Sequence, residues 1–446
     1  MKNKVGPDEA IFGFHGSLSQ GRLIGLCTTL VSALYNVFLT GTFYTGFLTV
    51  CGMSISDAGI ITYIPLLASC FSLFSPFIFE RIKRRKWILL GARLLHFSLY
   101  ILATTVMPSF VSDPTERLRW FVAILFVASA ISALISPALT AWSYPFLPTN
   151  NEKRIRYLSL IQLSSVIMSA GTTILSSVLA DRLAGSENQA SFIFSLRYIA
   201  FGLGMLELLL QVFLKEFPYP KGEKLRLRSL LTLPFRARKF LYCSLFMFIW
   251  NFTVSIDAGL WNYHLMNHLN FSYTLINMPS VAYSILFLIT RPVWVKIVQR
   301  KSWIKTLGIT IFVAGFTEIY SSLMDARLAA LFLPVALWTN IWNCGRNIAY
   351  SNILYMNLPK EKTTVYIAFN TVGCQLFAFL GSFSGTCLSA IGGDTPFSFF
   401  GLQMYTVQFT IMVRAVMFFL MGGFCIRHWR VLSTAEEIER IDAKKG

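Results

Sequence analysis

Apolar residues along this chain gather into twelve long runs, separated by short polar connections. Each run is close to the roughly 20 residues that a helix needs to cross the hydrocarbon core of a bilayer. The runs occupy residues 23–49, 57–79, 87–107, 119–146, 157–183, 192–214, 240–265, 272–295, 303–322, 328–356, 366–391 and 404–427. The pattern predicts an all-α, polytopic membrane protein with twelve transmembrane helices.

Composition supports a membrane protein, because 55% of the 446 residues are hydrophobic and only 13% are charged. A soluble domain with so little charge would expose large apolar patches and aggregate. The eight Cys residues fall mostly inside the runs and form no CxxC motif, so we expect them to behave as small hydrophobes and predict no metal or other cofactor.

The net charge of +18 first suggests a nucleic-acid partner, but the positions of the basic residues argue against one. Successive connections between the runs fall on alternate sides of the membrane. Of the 39 Lys and Arg residues, 31 lie on one side, four lie on the other side and four lie inside the runs. Positive residues mark the cytoplasmic side. We therefore expect a multi-pass protein of the cell membrane with both termini in the cytoplasm, and no cleavable signal peptide before the first run.

The two halves of the chain resemble each other in sequence. Residues 75–88 align with residues 291–304 at a shift of 216, with a shared Pro, Trp and Ile and matching basic residues. Two further anchors, Leu147-Pro148 against Leu358-Pro359 and Arg197 against Arg414, follow in the same order at shifts of 211 and 217. Each half has six runs, so both halves cross the membrane in the same sense, as a parallel repeat.

The repeat predicts two six-helix bundles joined by a hydrophilic linker. We assign residues 1–214 to the first bundle, 215–239 to a cytoplasmic linker, and 240–446 to the second bundle with its cytoplasmic tail. These are called the first and second half below.

The segment between the second and third runs resembles the signature loop of the major facilitator superfamily (MFS), whose pattern is Gly, four residues, Asp-Arg, any residue, Gly-Arg-Arg/Lys. Arg81, Arg84 and Arg85 stand where the pattern has its basic residues, Glu80 replaces the Asp, and two glycines are absent. The resemblance implies a conformational-switch loop here. It also implies two bundles that rock around a central cavity lined mainly by helices 1, 4, 7 and 10.

The tenth run carries a polar stripe at helical spacing, formed by Asn340, Asn343, Asn347 and Ser351. The equivalent positions of the fourth run are Ser129, Ser132, Ser136 and Thr140. Two such stripes suit two walls of a hydrated cavity, and packing of helices through interhelical hydrogen bonds is the alternative.

The seventh and first runs supply further candidates for binding a solute. Asn251 and Asn262 share one predicted face of the seventh run, and Asp257 and Trp261 share another with Trp250 and His264; Asn36 and Tyr44 lie on the first run. Aromatic faces beside amides and a carboxylate suit a sugar-like or other polyhydroxylated solute. Anchoring at the outer membrane interface remains the alternative for Trp261 and His264.

Charges inside a membrane are costly, at roughly 2.5–3.5 kcal/mol on insertion scales, and therefore need a partner or a function. Arg346 lies beside the Asn stripe and is the strongest candidate for substrate binding. By the rise of an α-helix it lies about 11 Å nearer the cytoplasmic end than Asp257, which argues against a direct pair between them.

Other buried charges have matching depths and predict structural ion pairs. Arg93 and Glu207 both lie about 9–12 Å from the cytoplasmic end, and their counterparts in the second half are Ile309 and Phe424. Acid and base are thus replaced together. Glu318 and Arg414 form a second candidate pair.

These features favour a secondary transporter for a small polar solute. We expect the transporter to be a monomer and to use protons as the coupling ion, with Asp257 as the candidate proton site. The chain contains no GxxxxGK[ST] phosphate loop. A drug or metabolite efflux antiporter is the alternative, although the fifth run has only Gly171 and no Pro where such antiporters have a Gly-Pro motif. A membrane-embedded transferase is disfavoured because the five His residues are scattered.

Overall fold

The fold is described from a computed structural model of the chain. It describes residues 11–14, 16–79, 82, 84–148, 151–217, 234–325, 327–359, 363–393, 395–399, 402–433 and 435–442.

The described residues of the first half form nine α-helices. They are α1 (Ser17–Leu39), α2 (Gly41–Val50), α3 (Ile55–Ala68), α4 (Ser75–Phe79), α5 (Lys86–Phe97), α6 (Thr104–Val106), α7 (Pro114–Ser143), α8 (Asn151–Arg182) and α9 (Asn188–Val212). A 3-10 turn at Ser69–Phe74 joins α3 to α4, and a π-helical segment at Ser98–Ala103 joins α5 to α6. Both junctions fall inside predicted spans.

In the part of the second half that the structure describes, there are nine more α-helices and one small hairpin. The helices are α10 (Arg238–Ser255), α11 (Leu260–Asn267), α12 (Tyr273–Lys301), α13 (Trp303–Ser322), α14 (Phe332–Met356), α15 (Thr363–Gly392), α16 (Thr406–Arg427), α17 (Trp429–Leu432) and α18 (Ala435–Asp442). Strands β1 (Phe397–Phe399) and β2 (Leu402–Met404) pair in antiparallel register between α15 and α16. The predicted twelfth span, 404–427, therefore begins two residues later as a helix.

Among the described residues, ten helical segments are long and apolar enough to cross a membrane. The two remaining predicted spans are α13 and α14, which are 20 and 25 residues long. Glu318 lies on α13, and Arg346 and the Asn stripe lie on α14. The chain is a multi-pass membrane protein, and its helices are consistent with twelve crossings.

The first span of each half is broken, which contradicts the prediction of continuous helices over 23–49 and 240–265. In the first half α1 ends at Leu39 and Thr40 is extended, with φ −136° and ψ 168°. In the second half α10 ends at Ser255, and Gly259 adopts a left-handed conformation with φ 80°. Four-residue spacing therefore no longer places side chains on one face across either break.

A close contact between α10 and α15 surrounds the second break. Gly381 and Gly385, one turn apart on α15, lie against the carbonyl oxygens of Phe252 and Ile256. A Cβ at either glycine would overlap the facing carbonyl group, so only glycine allows this approach. The contact is of the small-residue type that brings membrane helices together.

Hydrogen-bonded serines begin the second span of each half. Ser54 and Asp57 form a capping box at the start of α3, and the Ser272 hydroxyl accepts a hydrogen bond from Leu275 N at the start of α12. The shift of 216 between the halves aligns Ser272 with Ser56, which lies inside α3. The cap of α3 is therefore two residues earlier than the position aligned with the cap of α12.

The described chain forms two compact units. One comprises Met1–Phe47 and Phe71–Lys224, and the other comprises Leu48–Cys70 and Leu225–Gly446. Residues 48–70 group with the second unit because α3 packs along α15, with Tyr63 against the rings of Phe379 and Phe383. Most of the predicted linker 215–239, residues 218–233, lies outside the described residues.

Candidate functional site

Three charged side chains meet in the second half, and we call Asp257, Glu318 and Arg414 the Arg414 cluster. Arg414 Nε donates to Glu318 Oε2 at 3.0 Å, its Nη2 contacts the same oxygen, and its Nη1 contacts Asp257 Oδ1. The side chains of Arg414 and Glu318 are each 14% exposed, and that of Asp257 is 8% exposed. The Glu318–Arg414 contact expected from the sequence is present, and Asp257 joins it.

The break between α10 and α11 places Asp257 in this cluster. The Asp257 carbonyl oxygen accepts hydrogen bonds from Leu260 N at 3.0 Å and Trp261 N at 3.3 Å, which starts α11 directly after the break. At Gly259, a Cβ would meet the Thr62 hydroxyl at 2.5 Å. The chain therefore turns tightly at this point and presents the Asp257 side chain to α16.

The Arg414 cluster has one more acid than base, so it carries a net charge of −1 when all three groups are ionised. The two carboxylates repel each other while both are attracted to the same guanidinium. One guanidinium neutralises only one of the two carboxylates, so the cluster holds one ionisable acid in excess inside the membrane.

Arg346, on α14, is held by aromatic rings. Its guanidinium carbon lies 5.1 Å from the centre of the Trp250 ring and 5.9 Å from that of Phe418. Those two rings stack on each other with centroids 5.2 Å apart. No described residue forms a hydrogen bond or an ion pair with the Arg346 guanidinium, although Glu318 attracts its charge and Arg414 repels it.

The predicted Asn stripe of α14 faces α12 with two of its amides. Asn340 is 8% exposed and donates to the Pro279 carbonyl oxygen at 2.7 Å. Asn347 is exposed and donates to the Tyr283 hydroxyl at 2.6 Å. Asn343 lies between them, and its Oδ1 atom is buried without a hydrogen-bond partner among the described residues. Asn340 is thus hydrogen-bonded to the backbone of α12, whereas Asn343 and Asn347 can still form hydrogen bonds with a solute.

On α10, Asn251 donates to the Tyr350 hydroxyl of α14 at 2.8 Å. The same amide donates to its own helix at Met247 O, also at 2.8 Å. Asn251 and Trp250 therefore both contact α14 and its neighbours, although the sequence assigned them to different faces. At 3.6 residues per turn, successive side chains on α10 point about 100° apart, so Trp250 and Asn251 can both contact the neighbouring helix α14.

The residues predicted beyond the break do not join this group. Trp261 stacks on His264 with ring centroids 5.7 Å apart and packs against two apolar clusters that include Leu260 and Leu265. Asn262 is half-buried on α11. Because the helix ends at Ser255, the predicted common face of Asn251 and Asn262 does not exist.

The candidates of the first span separate in the same way. Asn36 is exposed on α1 and donates to Ser32 O at 2.8 Å, whereas Tyr44 lies on α2. The Tyr44 ring lies 5.6 Å from the Arg197 guanidinium carbon and stacks on Phe47. Tyr44 therefore belongs to the surroundings of Arg197.

Arg93 and Glu207 meet in the first half, as their matched depths predict. Arg93 Nη2 lies 2.6 Å from Glu207 Oε1. Tyr35 OH donates to Glu207 Oε2 at 2.7 Å, and Gln211 Nε2 donates to Glu207 Oε1 at 3.1 Å. Tyr35 and Gln211 were not predicted from the sequence, although Gln211 lies one helical turn after Glu207.

The predicted switch loop is described only in part, because Glu80 and Arg81 lie outside the described residues. Arg84 is exposed, whereas Arg85 is buried and donates from Nε to Ile82 O at 2.9 Å. Lys86 donates two hydrogen bonds here, from its backbone nitrogen to Glu216 Oε1 at 3.0 Å and from its Nζ to Leu214 O at 2.8 Å. A carboxylate thus caps the start of α5 and an ammonium the end of α9, as the helix dipoles favour.

Comparison with known proteins identifies the fold. The family model of the Major Facilitator Superfamily matches residues 23–382. The nucleoside transporter NupG has a similar structure, with a TM-score of 0.66 at 10% identity over 93% of this chain and 100% of that one. A bacterial homologue of the iron transporter ferroportin, in an inward-facing state, gives a TM-score of 0.69 at 15% identity over 92% and 99%.

A sugar transporter shares the fold as well. The inward-open xylose transporter XylE from E. coli gives a TM-score of 0.64 at 14% identity over 96% of this chain and 99% of that one. No curated protein matches this chain in sequence. At such low identities the structures establish a common fold, which is the one that the sequence predicts.

Proposed function

Because this chain belongs to the major facilitator superfamily, we propose that it is a secondary transporter. It moves a small polar organic solute, with a sugar-like or other polyhydroxylated solute favoured, across the cytoplasmic membrane by alternating access. Protons drive the movement. The observation that carries this proposal is the Arg414 cluster, where two carboxylates share one arginine inside a membrane bundle. Ionisable groups at such depth mark ion or substrate pathways.

The polar groups of the second half support the choice of solute. Asn343, Asn347 and Asn251 supply amides, and Trp250 supplies an aromatic surface, all on α10 and α14. Amides bind hydroxyl groups as both donors and acceptors. The candidate residues on α11 are less well supported, because the break at Gly259 separates them from Asn251. Asn36 and Tyr44 lie on either side of the break at Thr40 and share no helix face.

Transport measurements on reconstituted protein test the proposal. We expect uptake of labelled solutes from a panel of sugars, sugar acids, amino acids and drugs into proteoliposomes, with accumulation only under an inward proton gradient. Uptake that is the same with and without the proton gradient would refute proton coupling. Accumulation driven by an outward gradient would instead favour the efflux antiporter, and the absence of flux for every solute would refute the transporter.

Cysteine labelling tests the proposed orientation. In a background without the native cysteines, single cysteines in 80–86, 215–239 and 291–305 should react only from the cytoplasm, and those in 184–191 only from outside. The expectation rests on the distribution of Lys and Arg. Labelling of the 215–239 segment from outside would overturn both the orientation and the six-plus-six division.

A further inference from the structure

The Arg346 side chain has unused hydrogen-bonding capacity. A guanidinium carries five N–H donors in one plane. The Trp250 and Phe418 rings hold the cation by cation–π contacts, and no described residue accepts a hydrogen bond from it. These cation–π contacts use none of the N–H donors in a hydrogen bond, so the donors remain available. An acceptor from outside the chain can therefore complete this site.

The nearby carboxylates are already occupied. Asp257 and Glu318 both contact Arg414, and Glu318 influences Arg346 only through its charge. Arg346 is thus stabilised electrostatically at a distance, while its hydrogen bonds remain unmade. A structural arginine, by contrast, donates its hydrogen bonds to acceptors within the protein.

Groups that suit hydroxyls adjoin Arg346 on the same helix. Asn343, one turn before it, has a buried Oδ1 atom without a donor among the described residues. Asn347 follows Arg346 directly, and the Tyr283 hydroxyl that it contacts also interacts with the Arg346 charge. The site therefore combines one cation with neutral donors and acceptors.

We propose that Arg346 binds an acidic group of the transported solute, so that the solute is a small hydroxylated carboxylate and not a neutral sugar. This assignment rests on the proposed function and refines it. The planar fork of arginine matches a carboxylate through two parallel hydrogen bonds. The hydroxyl groups of the solute face Asn343 and Asn347.

The charge of the site favours a carboxylate over a phosphate ester. A phosphate monoester carries a charge between about −1.5 and −2 near neutral pH, which one guanidinium leaves partly unbalanced. The second arginine, Arg414, is held by two carboxylates. A monoanion is therefore the charge that Arg346 alone can neutralise inside the membrane.

Thermal unfolding of the purified full-length protein in detergent tests this proposal with matched probes. The pairs are gluconate with sorbitol, glucuronate with glucose, and lactate with propane-1,2-diol. We expect at least one acid to raise the unfolding midpoint by about 2 °C or more, and its neutral partner to leave the midpoint unchanged. Arg346→Gln should abolish this shift, and Arg346→Lys should retain a reduced one.

Several outcomes would overturn the assignment. These are an acid shift that persists in Arg346→Gln, equal shifts from an acid and its neutral partner, and a panel in which no acid shifts the midpoint. The Arg346→Lys variant keeps the test valid if Arg346→Gln does not fold. Flux measurements separate this failure from failure of the proposed function. If a neutral probe is bound and transported, only the assignment of an anionic solute is refuted. If an acid is bound through Arg346 but is never transported, only the proposed transporter function is refuted.

Discussion

Arg197 and Arg414 occupy equivalent positions in the two halves, yet their partners differ. Arg197 donates to the Thr105 hydroxyl at 2.7 Å and the Thr104 hydroxyl at 2.6 Å, and its guanidinium carbon lies 4.0 Å from the centre of the Phe47 ring. Arg414 contacts two carboxylates instead. Hydroxyls, carbonyls and rings thus surround one arginine, and acids surround the other.

The comparison shows that this fold does not need carboxylates to hold an arginine at this position. Arg197 is only 1% exposed and is accommodated by neutral groups. At the repeat position of Asp257 the first half has Gly41, which also lies at the helix break and has φ 60°. The acids around Arg414 are therefore an addition to the shared architecture. Groups that the fold does not require are the first candidates for function.

The Arg93–Glu207 pair reverses the pattern, because it occurs only in the first half. Its counterparts are Ile309, which is half-buried, and Phe424, which is 46% exposed. Tyr35 and Gln211 complete the hydrogen bonds of Glu207. A carboxylate whose oxygens all have protein partners is suited to structure, whereas the Arg414 cluster has an excess acid.

The largest effect is expected from Arg346→Ala, which should reduce transport to background. Loss of a charged group that binds an ionic partner typically costs 2–5 kcal/mol. The unfolding midpoint should stay near that of the native protein, because no described residue loses a hydrogen bond or ion pair. Uptake into proteoliposomes and thermal unfolding in detergent measure the two quantities.

Arg197→Ala is the matched control for that comparison. It removes hydrogen bonds to Thr104 and Thr105 in the first half, so we expect a clear loss of stability. If Arg346→Ala were the less stable of the two and transported normally, Arg346 would be the structural arginine and the contrast between the halves would be wrong.

The next largest effect is expected when the first-half pair is converted to the second-half sequence. Arg93→Ile or Glu207→Phe alone leaves one buried charge without its partner, which typically costs about 3–5 kcal/mol. The double variant should lose far less than the sum, since both charges leave together. Thermal unfolding of the three variants provides the cycle. Additive losses would show that Arg93 and Glu207 are not coupled.

Asp257→Asn should have a smaller effect on stability and a specific effect on coupling. Arg414 keeps its contact with Glu318 and the amide keeps an acceptor, so we expect a loss of about 1–2 kcal/mol of stability. Accumulation under a proton gradient should disappear, while equilibration of the solute continues. Uptake measured with and without the gradient tests this, with Glu318→Gln as the matched variant. Unchanged proton dependence in Asp257→Asn would exclude Asp257 as the coupling site.

The smallest effect concerns a feature that the halves share. Glu216 Oε1 accepts a hydrogen bond from Lys86 N at the start of α5, and Glu437 Oε1 accepts one from Trp303 N at 2.8 Å at the start of α13. Glu216→Gln and Glu437→Gln should each cost about 0.3–1 kcal/mol, the range for a charge at a helix N-terminus. Transport should be preserved. A much larger loss in one variant, measured by thermal unfolding, would show that the two caps are not equivalent.

Much of the second-half site could be predicted from its residue types, but the partners could not. The Asn spacing of the tenth run identified the polar face of α14, and the rarity of charge inside spans singled out Arg346 and Asp257. Depth along straight helices correctly matched Arg93 with Glu207. The same reasoning did not connect Asp257 with Arg414, because a break after Ser255 changes where that side chain points.

The sequence by itself determined the class of protein and the family, a multi-pass membrane protein of the major facilitator superfamily. These depend on local apolar run length and on residue types that recur at fixed spacing, and both can be counted along the chain. Only the tertiary structure decided which acid meets which arginine, and that Asn251 and Asn262 share no face. Those contacts depend on helix breaks at Thr40 and Gly259 and on the packing of α10 against the glycines of α15. A break of a few residues turns a helix without altering its hydrophobicity, so the pattern of apolar residues does not record it.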